Sequence, residues 1–176
     1  MLHTITLHTT TTQMIRKELT MICRNHHNEY VTTMFDYYAM PDNTPGINCA
    51  EPDIYERIKR IEHMIDADIN QSNCHFHFMV HEFEGILFSN PASFSLISDE
   101  TVVRRIYDIR RSCQTPEHIN NSPETAPSKR LKELIPNYAK IRNGTLLSKN
   151  MGIDIIMEEC PHFREWIQNI KTLNEE

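Results

Sequence analysis

The stretch Cys74-His75-Phe76-His77-Phe78-Met79-Val80-His81-Glu82-Phe83-Glu84-Gly85-Ile86-Leu87-Phe88 joins an apolar, aromatic run to two carboxylates. Its aromatic and branched residues read as a strand from Cys74 to about Glu82, bound for a protein interior. An ionised carboxylate withdrawn from water is costly unless it is paired, hydrogen-bonded or coordinated to a metal. The carboxylates at the end of this strand are therefore the first place to look for function.

Working outward, Ile54, Ile58, Ile61, Met64 and Ile65 repeat at helical spacing and predict a helix that starts near Pro52 and runs to about Ile69. MPDNTPGINC, residues 40–49, is a loop by its prolines, Asn and Gly. Tyr30 to Tyr38 is a second candidate strand, and Met14, Ile15, Leu19 and Ile22 predict a helix from Gln13 to Asn25. Helix, strand, helix, strand is the alternation of an α/β layer with a largely parallel sheet, in which the two strands are neighbours. Beyond Pro91 the pattern turns helical, with segments at 101–113, 129–135, 136–149, 153–160 and 161–173, interrupted by a polar, proline-rich stretch at 114–128. The expectation is one α/β domain over residues 1–176, with a sheet core at about 13–90 and a helical cap at about 91–176.

Composition narrows the function. The net charge is −6, which argues against a broad nucleic-acid footprint, although Arg104, Arg105, Arg110 and Arg111, and separately Lys129, Arg130 and Lys132, form local basic groups. Five scattered cysteines without a CxxC pair suggest neither a zinc knuckle nor a disulfide framework, and they read as reduced thiols in a cytoplasm. No apolar run approaches the roughly 20 residues that span a bilayer, and the N-terminus lacks the pattern of a signal peptide. The four glycines fit neither a dinucleotide-binding nor a P-loop frame, so any ATP used would be bound by a partner.

Both candidate strands end in acids, Asp36 on one and Glu82 and Glu84 on the other. Ligand sites of open α/β sheets lie beyond the carboxyl ends of strands, where Asp36, Glu82 and Glu84 would hold a Mg²⁺ or Mn²⁺ ion that offsets their repulsion. Residues i and i+2 of a strand share a face, so Glu82 and Glu84 clasp one ion together if the extended geometry persists through Phe83. The structural alternative makes Glu84 a cap of the short FEGILF helix and pairs Asp36 with an arginine. His75, His77 and His81 alternate along the strand, as metal ligands or as the lining of a half-exposed sheet face, with His81 the exception because it belongs to the strand end. Thr125 or Ser128 suits the cap of the helix that follows, next to Glu124 and the pair Lys129-Arg130. Phe163, Trp166, Ile167 and Ile170 are core residues of the last helix, and Cys160 with His162 is the weakest candidate, as a nucleophile pair.

TTMFDYYAMP with a downstream PG, HEFEGILFSNP, PEHINNSPETAPSKRL and CPHFREWI, in that order, resemble an uncharacterised bacterial family with a Toprim-like fold. Such proteins are found beside large ATPases in mobile and anti-phage gene clusters, and their relatives include the nuclease domains of overcoming-lysogenization-defect proteins. The resemblance spans about Tyr30 to Ile170. It implies a small Toprim-like, largely parallel sheet flanked by helices, with a helical C-terminal half. Asp36, Glu82 and Glu84 would form its metal-binding edge, and Lys129 would stabilise the transition state. The implied function is a Mg²⁺-dependent nuclease or phosphoryl-transfer subunit working with a separate ATPase and with nucleic acid as a candidate partner, or else an inactive adaptor that docks on the ATPase. Relatives open with a strand ending in an EGxTE-like motif that does not precede the Gln13 helix here, and Tyr37-Tyr38 follow Asp36 where a DxD motif has a second acid. The expectation is a shortened member, a site completed by another protein, or a dead site.

Overall fold

The computed structural model describes residues 11–119 and 125–173. The chain divides into two compact units, one ending at Phe78 and the other beginning at Met79, whereas the sequence pattern changes near residue 90.

The first unit holds α1 (Thr12–Asn25), β1 (Val31–Thr32), β2 (Phe35–Asp36), α2 (Ile54–Ile69), β3 (Cys74–His75) and Phe78, the first residue of β4 (Phe78–Met79). Asp53 starts α2 by accepting hydrogen bonds from the amides of Tyr55 and Glu56, which supplies the backbone donors of a first turn with an acceptor. Pro52 lies just outside that helix. Ile58, Ile61, Ile65 and Ile69 of α2 and Ile15, Leu19 and Cys23 of α1 are buried. β1 pairs with β3 in parallel, with Val31 opposite Cys74 and Thr32 opposite His75, and β2 is the partner of β4. The fold is thus mixed α/β, dominated by helices, with short parallel strands.

Each expected strand is broken into two-residue pieces for a local reason. The Thr33 hydroxyl accepts from the His77 amide at 2.9 Å and donates to the His77 carbonyl at 3.0 Å, so a side chain replaces backbone pairing at that point. On the other edge, Asp66 and Glu62 of α2, one turn apart, accept from the amides of Phe76 and Phe78, both at 2.8 Å. Donors that would otherwise face an unpaired edge are thereby satisfied. Phe76, His77, Phe78 and Met79 are all buried, so the expected alternation of an inner and an outer face does not hold here. Strands covered on both faces carry no such alternation.

The second unit is built of helices: α3 (Glu100–Arg111), α4 (Pro127–Leu134), α5 (Lys140–Met151), α6 (Ile153–Glu159) and α7 (Pro161–Leu173), together with 3-10 helices at Phe83–Ser89, Pro91–Leu96 and Pro116–His118. Ile86, Leu87, Phe88, Phe94, Ile106, Leu131, Leu147 and Phe163 form its core, against which Trp166 packs partly buried. Buried Glu117 caps α7, its two oxygens accepting from the amides of His162 and Phe163 at 3.0 Å each. No helix among the described residues is long and apolar enough to cross a membrane.

Candidate active site

The strand reading of HEFEGILF ends at Met79. The Glu82 amide donates to the Val80 carbonyl at 3.0 Å across His81, whose φ is 63°. An i to i+2 bond around a residue of positive φ is the rare, strained form of the γ-turn. It turns the chain directly into the 3-10 helix at Phe83–Ser89, so the extended geometry does not persist through Phe83. Glu82 keeps an extended backbone and Glu84 lies within the first turn of that helix, and the shared clasp expected of i and i+2 strand positions is lost.

The two carboxylates meet different surroundings. Glu82 Oε2 accepts a hydrogen bond from the Ser128 amide at 3.0 Å, near the start of α4, where a helix end offers amide donors and partial positive charge. The N-cap of α4 is Ala126, with no side-chain cap, so Glu82 does the work expected of Thr125 or Ser128. Glu84 is fully buried, at 0 % exposure. It does not cap its helix: Oε2 lies 2.9 Å from Lys140 Nζ as an ion pair, and Oε1 has no hydrogen-bond partner among the described residues. Desolvation pushes the Glu84 carboxyl above the usual carboxylate range, and the Lys140 ammonium pulls against it.

Tyr138 completes the group. Its hydroxyl is buried without a hydrogen-bond partner among the described residues, and burial, then the charges of Glu84 and Glu82, push its ionisation upward. Gly144 on α5 faces the Phe83 ring, from which a Cβ there would stand 3.3 Å, with the Tyr138 hydroxyl at an ordinary 4.0 Å. A buried carboxylate with an open oxygen beside a second carboxylate is an oxygen-donor set of the kind that hard divalent cations take, so these residues fit such an ion.

The other expected residues fall elsewhere. Asp36 ends β2 in the first unit, whereas Glu82 and Glu84 belong to the second. Lys129 is exposed on α4, and the lysine at the carboxylates is Lys140. Glu124 lies outside the described residues. His75 is exposed and His81, beyond the strand, is half-buried, whereas His77 is buried with Nδ1 3.5 Å from Glu62 Oε1, so the three histidines do not share one half-exposed face. Cys160 is fully buried 3.3 Å from the Ser89 hydroxyl, and desolvation pushes its thiol strongly upward, which withholds the thiolate a nucleophile needs. The sequence marks Lys140 and Tyr138 by only one local signal: a tyrosine two residues before a lysine that opens a helix.

Residues 1–171 match the family model described as "Domain of unknown function (DUF4276)". No curated protein and no solved structure matches the chain.

Proposed function

This chain belongs to the DUF4276 family, and we propose that it is a Toprim-like, metal-dependent nuclease or related phosphoryl-transfer subunit that works with a separate ATPase. The observation that carries this reading is Glu84, a carboxylate wholly withdrawn from water with Oε1 unpartnered among the described residues, beside a second carboxylate. A polypeptide rarely keeps such a group without a use for it, because burial of an incompletely satisfied carboxylate is destabilising. Glu84 and Glu82 would hold Mg²⁺ or Mn²⁺ in this unit. The ion would activate water and neutralise charge on a transferring phosphate. Lys140 takes the part first given to Lys129, since its ammonium stands at the carboxylates and suits an anionic oxygen.

A second reading, an inactive adaptor that docks on the ATPase, is favoured by one observation: Glu82 and Glu84 each already have a partner inside the chain. Calorimetric titration with Mn²⁺ separates the two. Binding by the wild type that is lost in Glu84→Gln supports the metal-dependent enzyme, and absence of heat from the wild type assigns both carboxylates to structure and the chain to the adaptor role.

A further inference from the structure

Lys140 is the first residue of α5, at the end of the helix where partial positive charge disfavours a cation, and the first turn contains no acidic residue to compensate. The anion it faces is Glu84, with Nζ 2.9 Å from Oε2. The match is incomplete. Half of the Lys140 side chain is exposed, while Glu84 Oε1 and the Tyr138 hydroxyl are buried and lack hydrogen-bond partners among the described residues. A monovalent side chain half in water thus serves a carboxylate wholly out of it.

We infer that Lys140 is the internal counter-ion of a divalent-cation site, holding Glu84 in the cation-free protein and yielding it when a divalent ion binds. The inference rests on the metal-dependent reading above. An ammonium on a flexible four-carbon stem can leave by rotation about its own bonds, without backbone movement. A divalent ion offers Glu84 the second contact that Nζ does not make, through Oε1. The charge balance also changes: the two carboxylates and the ammonium sum to −1 without a metal and to +1 with a divalent ion bound. That arrangement attracts the anionic oxygens of a phosphate.

The test uses the full chain labelled with ¹³C at lysine, with the Lys140 ε-methylene signal assigned by its loss in Lys140→Arg. Mg²⁺ is the probe, and Mn²⁺ calorimetry on the same protein reports occupancy. The expected result is a Lys140 signal that shifts with Mg²⁺ towards the positions of exposed lysines and saturates in step with binding. In Glu84→Gln the signal should start near those positions and stay there. Metal binding by calorimetry with the Lys140 signal unmoved would overturn this inference and leave the metal reading standing. No binding of either ion to the wild type would overturn both.

Discussion

At the scale of single residues, His81 shows how much one backbone conformation decides. A non-glycine residue with φ of 63° next to an i to i+2 bond costs on the order of 1–3 kcal/mol, which the surrounding structure must offset. His81→Gly should therefore leave the unfolding free energy unchanged or raise it by about 1 kcal/mol. His81→Val should lower it by about 1–3 kcal/mol, because a β-branched side chain tolerates positive φ least. Denaturant unfolding of the pair checks this; equal stabilities would mean that the turn carries no strain. Strain at this position is what swings Glu84 out of the strand direction and into the interior.

At the scale of elements, carboxylates serve backbone donors that lie far away in sequence. Glu117 holds the first amides of α7, so Glu117→Ala strands two donors in a dry environment. The expected loss is about 2–5 kcal/mol, read as a fall in the denaturation midpoint, with Glu117→Gln losing less because one acceptor oxygen remains. Asp66 supports the Phe76 amide from α2 and gives a pH signature. Desolvation raises its folded pKa above the unfolded value, more than the Phe76 hydrogen bond lowers it. The folded state therefore binds the Asp66 proton more tightly than the unfolded chain does. Its contribution to stability is greatest below the ordinary carboxylate range and falls as pH rises from that range through the raised folded pKa. Asp66→Asn should flatten this part of the stability profile in unfolding measured across a pH series. A profile identical to that of the wild type would show that Asp66 titrates alike in both states.

At the scale of the whole molecule, each unit has its own apolar interior. In the second, Leu147 of α5 is fully buried, on the helix that also carries Lys140 and Gly144. Leu147→Ala should cost about 2–5 kcal/mol through lost burial and the cavity left behind. The single tryptophan, Trp166, packs edge-on to Phe163 at 5.6 Å, so its fluorescence reports the same unfolding, and iodide should quench it more strongly after denaturation than before.

What the sequence determined by itself was carried by local rules. Periodic apolar positions located α1, α2 and α7, with α7 matching Pro161–Leu173 residue for residue, and the helix between two strand candidates implied the parallel pairing seen between β1 and β3. The carboxylates after the strand stood out because acids at the end of an apolar run demand a partner. Only tertiary structure decided who those partners are. Ser128 and Lys140 reach Glu82 and Glu84 across long stretches of chain, and the Thr33, Glu62 and Asp66 side chains interrupt strands that composition alone would continue. The physical reason is the range of the forces. Burial of apolar surface repeats with the period of the helix or strand and is written along the sequence. Hydrogen bonds and ion pairs satisfy individual atoms wherever the fold brings donor and acceptor together, and they leave no period to read.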